Sequence, residues 1–420
     1  MGGFGFRFAA VTSIAAGIGL FPCGPGTAVA QSPRQVFVTS VEGTGDLATW
    51  PGSGGIDGLA GADAVCRSRA QAGGLGNPSG FVAWLSDSSN DAYCRAHGLP
   101  GLKSANCGQP TLPVAAGPWV RIDGFAFAGR IDEMLEPWQR VLTPVWFNEF
   151  GARAEDSYFT ATGQDGELSS QDPTTCSDWT SSPNETVVVG DPGRTSQSWT
   201  FLGTGTCSQQ RPLLCVEVGV ASPLPPYRSG GALAFVTSAD GSGNLGSWPE
   251  AGGAIGIAAG DAICRTMAAD AGLAAPTSFK AWLSDSTTDA VDRFSYGGPW
   301  IRLDGVRVAD TKADLTDGTL WTSISIAEDG AYWHNHRGWT GTSSTGGNTG
   351  HNCLNWTSAS DVDLGTEAYI NAADERWTDN SQRGCDKWWY HLYCLSEVPT
   401  VVFVDDFESG GTTAWSDVVH

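Results

Sequence analysis

Gly61-Ala62-Asp63-Ala64-Val65-Cys66-Arg67 is echoed, with Asp63 and Cys66 displaced by 198 positions, in Gly260-Asp261-Ala262-Ile263-Cys264-Arg265. The agreement spreads outward from this seed. Phe37-Val38-Thr39-Ser40 returns as Phe235-Val236-Thr237-Ser238, and Ala83-Trp84-Leu85-Ser86-Asp87-Ser88 as Ala281-Trp282-Leu283-Ser284-Asp285-Ser286, at the same offset. Gly117-Pro118-Trp119-Val120-Arg121-Ile122-Asp123-Gly124 matches Gly298-Pro299-Trp300-Ile301-Arg302-Leu303-Asp304-Gly305, but at an offset of 181, so the first copy holds 17 extra residues between these blocks, around Tyr93 to Ala115. A repeat of this length means two tandem domains and not a solenoid, whose units run to 20–50 residues. The first copy covers 35–218 and the second 233–397. Pro223, Pro225, Pro226, Gly230 and Gly231 make 219–232 a semi-stiff linker.

Within each copy the pattern reads as a strand (Val36 to Thr39; Phe235 to Thr237), a helix stopped at Gly73 or Gly272, and a second strand at Phe81 to Leu85 or Phe279 to Leu283. Helical periodicity then gives way to Gly, Thr, Ser, Asp and Trp in short pieces, closed by Cys-bearing strands at Leu213 to Glu217 and His391 to Cys394. The class is α+β. Trp84, Trp119 and Trp179 recur as Trp282, Trp300 and Trp356 and are expected in the cores.

The 420 residues carry 23 Lys plus Arg against 45 Asp plus Glu, a formal charge of −22, with 56 Gly and 18 Trp. No basic stripe exists to displace counterions from phosphates, which argues against a nucleic-acid binder and against an anionic membrane surface. Arg7, the apolar stretch from Phe8 to Phe21 and the small-x-small site Ala28-Val29-Ala30 read as a signal peptide over 1–30. No later apolar run approaches a membrane span, so a secreted or cell-surface protein is expected. Ten cysteines then remain, and an even number in an exported chain favours disulfides over metal thiolates. Cys94 and Cys107 arrive together in the first copy's insertion and are expected to bond to each other. The shared cysteines (Cys66, Cys176, Cys207 and Cys215; Cys264, Cys353, Cys385 and Cys394) leave three connectivities open per copy.

One early helix, long loops and a closing Cys-bearing strand resemble the C-type lectin-like fold. The similarity is greater to the bacterial DUF1554 family, of unknown function and usually grouped with lectin-like and endostatin-like domains. It is carried by Phe235 to Ser238, Asp261 to Cys264, Ala281 to Asp285, Trp339-Thr340-Gly341-Thr342 and Leu392-Tyr393-Cys394. The resemblance implies two tandem lectin-like domains with outer bonds Cys66–Cys215 and Cys264–Cys394 and inner bonds Cys176–Cys207 and Cys353–Cys385. It also raises a Ca²⁺ site, since sugar-binding lectins of this fold hold Ca²⁺ through a Trp-Asn-Asp triplet. Trp377-Thr378-Asp379-Asn380 resembles that triplet in kind though not in order, which nominates Asp379 and Asn380. The companion Glu-Pro-Asn or Gln-Pro-Asp signature is absent from the long loop.

Flat rings offer large contact area at low entropic cost, so Tyr332, Trp333, Trp377, Trp388 and Trp389 of the second copy are the candidate ligand surface. Trp333-His334-Asn335-His336-Arg337, with His351 and His391 elsewhere, could hold Zn²⁺ or Cu²⁺; the first copy has no equivalent. No Gly-x-Ser-x-Gly elbow, His-Glu-x-x-His helix or phosphate loop supports catalysis. The expectation is a non-catalytic recognition protein binding a glycan or a host or envelope protein. A structural envelope protein or a secreted hydrolase is the alternative. Residues 398–420, with Val401 to Ser416, resemble a short C-terminal element of exported bacterial proteins.

Overall fold

The computed structural model describes residues 1–2, 32–135, 137, 139, 141–171, 174–182, 184–224 and 230–400. The signal-peptide reading, from residue 3 on, and residues 401–420 of the tail lie outside them. The described residues from Ser32 on cluster as one compact unit.

The first copy contributes β1 (Arg34–Val38), β2 (Phe81–Ala83), β3 (Trp119–Arg121), β4 (Ala126–Ala128), β5 (Tyr158–Phe159), β6 (Thr186–Gly190), β7 (Gly203–Thr206) and β8 (Leu214–Glu217). The second contributes β9 (Gly231–Val236), β10 (Phe279–Ala281), β11 (Trp300–Arg302), β12 (Arg307–Ala309), β13 (Arg337–Trp339), β14 (Leu364–Tyr369), β15 (Ser381–Gly384), β16 (Tyr390–His391) and β17 (Tyr393–Thr400). The five-stranded sheets have one topology, β2-β8-β1-β3-β4 and β10-β17-β9-β11-β12. Each copy adds a small second sheet, β5-β6-β7 or β15-β14-β13-β16. The architecture is therefore α+β. The linker is shorter than the Pro and Gly pattern suggests: Gly231 and Ala232 already pair with Thr400 and Pro399 of β17, and Val220 bridges back to Gly117. Backbone pairing, not composition, sets these limits, and it also takes residues 398–400 out of the tail.

The repeated Asp-x-x-Cys segment lies on the one long helix of each copy, Gly58–Ala72 and Ile257–Asp270. Its small residues let the helix sit close on the sheet; a Cβ on Gly260 would lie 2.6 Å from Leu283 Cδ1. Its carboxylate ties helix to strand. Asp63 Oδ1 accepts the Ala83 amide at 3.0 Å and pairs with Arg95; Asp261 Oδ1 accepts the Ala281 amide at 3.0 Å and pairs with Arg293 at 2.5 Å. Its cysteine is welded to β8 or β17, the strand between β2 and β1 or between β10 and β9. Among the described residues five disulfides form: Cys66–Cys215, Cys94–Cys107, Cys176–Cys207, Cys264–Cys394 and Cys353–Cys385. Trp84, Trp119 and Trp179 and their counterparts Trp282, Trp300 and Trp356 are buried with their indole N–H groups satisfied: Trp84 donates to Thr200 Oγ1 and Trp282 to Thr378 Oγ1, both at 2.9 Å. No helix among the described residues is long and apolar enough to cross a membrane.

The copies meet through a reciprocal contact. Arg194 and Ala372 form an antiparallel bridge. They stand 178 positions apart, as do Trp199 and Trp377, or Cys207 and Cys385, so each residue faces its own counterpart. The Thr195 amide donates to Asn371 O at 3.2 Å, and the Ala373 amide to Gly193 O at 3.1 Å, the same bond made from either side. Such reciprocity marks a two-fold contact, here inside one chain. Around it, Phe125 stacks on Trp321 with centroids 4.9 Å apart, Thr322 Oγ1 donates to Leu142 O at 2.6 Å, and Arg376 spans from Asp374 to Asp191. Trp146 of the first copy is buried in the second copy's core.

Replacing Asp261 with Ala leaves the Arg293 guanidinium and the Ala281 amide without their shared acceptor, and should cost about 3 kcal/mol, the range for breaking a buried charge pair; an unchanged denaturation midpoint would refute this account of the repeat. At the copy interface, burial works to raise the Asp374 carboxyl, but hydrogen bonds from Arg376 and the charges of Arg376 and Arg194 outweigh it and hold the value below that of an ordinary Asp. A depressed carboxyl stabilises the fold above its unfolded value, near 3.9, and that contribution is lost as pH falls through the folded value. Acid titration of thermal stability should therefore show a component below about pH 4 that disappears in Asp374→Asn.

Candidate functional site

The five candidate aromatics do not form one platform. Trp377 is fully buried, 5.2 Å from Trp282 and 5.7 Å from Tyr393 between ring centroids. It is the counterpart of buried Trp199 and belongs to the core, which removes it from the ligand surface. Tyr332 is half-buried and donates its hydroxyl to Asp304 Oδ2 at 2.7 Å. Trp333 turns the other way and packs over His336 and His391, with centroids at 4.4 and 5.0 Å. Only Trp388 and Trp389 stand out from the surface, 67% and 44% exposed, meeting edge to face at 5.5 Å.

Three exposed aliphatic residues, Leu354 at 63%, Val362 at 80% and Leu364 at 40%, lie on segments tied to the same inner disulfide as that pair. The ties are covalent and hydrogen-bonded. Leu354 adjoins Cys353, which is bonded to Cys385; Val362 and Leu364 flank Asp363, whose carbonyl accepts the Cys385 amide at 3.0 Å; the tryptophans follow Cys385 by three and four residues. The first copy supplies the comparison. There the Cys207 amide donates to Glu185 O, and Arg211 bridges Gly43 as Tyr390 bridges Gly241. Counting from these shared bonds, Ser177, Asn184, Thr186, Gln209 and Gln210 occupy the five positions, all exposed. The fold thus does not require apolar residues there. An exposed apolar patch on one copy, polar on its twin, is the signature of an interaction surface. Sequence reading found the two tryptophans and missed the three aliphatics; aligning the copies for polar-to-apolar exchanges beside the inner cysteines would have found them.

Behind the patch sits Glu367, fully buried in β14 where the first copy has Val189. Its Oε1 accepts from Asn380 Nδ2 at 2.9 Å and Ser381 Oγ at 2.6 Å, Oε2 accepts the Tyr390 hydroxyl, and Arg337 and Arg383 lie at 3.7 and 3.5 Å. This network fixes Tyr390, whose ring packs on Trp389 at 6.1 Å, and so steadies the exposed pair. Burial and the Glu367 hydrogen bond push the Tyr390 phenol upward, so it is a neutral donor. The same network occupies the Asn380 amide nitrogen. Asp379, its carboxyl raised by burial, and the Asn380 carbonyl offer fewer oxygens than the six to eight that Ca²⁺ takes. Water or a ligand would have to complete such a shell.

Where the copies meet, a cleft of about 580 Å³ is lined by Trp146, Arg153 and Asp191 from the first and Asp317, Asp374 and Arg376 from the second. The Arg153 guanidinium covers the Trp146 ring at 4.1 Å, and Arg376 is held by Asp374 and Asp191, so these charges act within the interface. No protein-family model matches the chain, and no curated protein matches its sequence.

Truncating Glu367 to Ala strands the Tyr390 hydroxyl, the Asn380 amide and two guanidinium groups. The expected loss is about 3–5 kcal/mol, read as a lower midpoint of chemical unfolding. A loss below 1 kcal/mol would show that the carboxylate does not organise this face.

Proposed function

We propose that this is an exported, non-catalytic recognition protein, built from two lectin-like domains of DUF1554 kind, whose second copy docks an extracellular or envelope protein through the face formed by Leu354, Val362, Leu364, Trp388 and Trp389. The observation that carries this reading is the exchange of five exposed polar residues of the first copy for five exposed apolar ones on the same scaffold. Aliphatic neighbours around the tryptophans favour a protein partner. A sugar ring stacks on an aromatic face but needs planar polar side chains around it for its hydroxyls. The five disulfides support an oxidising compartment. The first copy, with its own stapled loop, serves as a rigid support through the reciprocal interface.

The test exchanges Trp388 and Trp389 for the glutamines of the first copy. W388Q/W389Q should fold with an unchanged midpoint, since neither ring is buried, yet lose binding to intact cells. Wild-type binding that disappears after protease treatment of the cells supports a protein partner; sensitivity to periodate instead assigns a glycan to the same face. A Ca²⁺ requirement removed by Asp379→Ala would add a Ca²⁺-dependent lectin site. Equal binding by wild type and double variant would overturn the assignment of the face, and concentration-dependent self-association abolished by the double variant would replace recognition with a structural role.

A further inference from the structure

The second copy carries a pair of facing imidazoles that the docking face does not use. His391 lies in β16 with no exposed surface, and its Nδ1 stands 3.1 Å from the Ala239 carbonyl. A carbonyl only accepts, so Nδ1 bears the hydrogen and Nε2 presents a lone pair. That lone pair faces His336 Nδ1 at 3.0 Å. His336, on the loop before β13, is half-buried and so within reach of solvent. Trp333 shields one side of both rings. In the first copy the bridge Gly43–Arg211, equivalent to Gly241–Tyr390, places Pro212 where His391 stands. The scaffold thus closes without an imidazole at that point.

We propose that His336 Nδ1 and His391 Nε2 form a two-imidazole site for a borderline transition-metal ion of the Zn²⁺ or Cu²⁺ class. Two imidazole nitrogens on a tetrahedral ion, each at about 2.0–2.1 Å, stand about 3.3 Å apart; the observed pair needs only a small widening. The backbone carbonyl on Nδ1 of His391 is the outer-shell partner that fixes a ligating imidazole's tautomer and orientation. On binding, the hydrogen shared between the rings moves from Nδ1 to Nε2 of His336, and the ion gives up two waters, so no proton or electron leaves the pair. Among the described residues no group of three or more His, Cys, Asp or Glu side chains is set to enclose an ion. The remaining positions are therefore filled by water or by an incoming donor, and the site is of the open kind.

Untagged full-length chain titrated with Zn²⁺ in a calorimeter should take up one ion, and its Cu²⁺ complex should show two equivalent nitrogens in the electron paramagnetic resonance spectrum. Because His391 is buried and its replacement also disturbs packing, the deciding variant is His336→Ala on the half-buried partner. One-to-one binding that disappears in His336→Ala and survives in His97→Ala and His351→Ala establishes the site. Absence of binding, or binding unchanged in His336→Ala, overturns it.

Discussion

Each copy depends on the seam where its single long helix meets its sheet. Three bonds converge there: the disulfide to the strand that closes the copy, the aspartate that accepts a strand amide, and the ion pair from that aspartate to an arginine beyond the strand. Cys66–Cys215 spans 149 positions and Cys264–Cys394 spans 130. In the chain-entropy model, whose basis is disputed, closing loops of this length is worth about 5 kcal/mol. The long, loop-rich segments between those cysteines gain little from regular hydrogen bonding. They remain ordered because both ends are fixed and because buried tryptophans, among them Trp84 and Trp282 with their indoles hydrogen-bonded, pin them from inside.

Two copies on one scaffold turn the molecule into its own control. Where both agree, as at Asp63 and Asp261 or Trp84 and Trp282, the residue serves the fold. Where they differ at a position held by the same backbone bonds, the difference serves something else. Glu367 against Val189 shows the logic most sharply. Burying a carboxylate in a strand is costly unless every oxygen is occupied, and here Tyr390, Asn380, Ser381 and two arginines occupy them. Only the second copy maintains that arrangement, and it lies under the only tryptophans among the described residues that stand well out of the surface.

The strand, helix and strand that open each copy were legible because period-2 and helical patterns are local, and the repeat confirmed which cysteines and tryptophans belong to the frame. The insertion bond Cys94–Cys107 was legible for the same reason, two cysteines arriving together. The second sheet of each copy was not, since β5 and β16 are only two residues long and carry no periodicity. Trp377 was misplaced because an acidic, amide-rich neighbourhood resembles a binding loop in sequence, whereas burial is decided by its packing on Trp282 from a distant segment. Trp388 and Trp389 were found because consecutive tryptophans are conspicuous. Leu354, Val362 and Leu364 were not, because one exposed aliphatic is unremarkable until a disulfide gathers several.

The reciprocal bridge at Arg194 and Ala372 explains why such divergence is tolerated. In a homodimer built on this contact every substitution would appear twice, and two copies of the Leu354 to Trp389 face on one particle would favour open-ended association. Joining both halves in one chain keeps the two-fold packing while letting the halves change independently. Arg194 itself illustrates this: opposite it stands Ala372, small enough to leave its guanidinium over the Tyr369 ring at 4.3 Å and on Asn371 Oδ1 at 3.2 Å. Two arginines at that point would place like charges face to face across the axis. The symmetric contact thus depends on an asymmetric pair, and the asymmetry that holds the halves together also permits a single docking face.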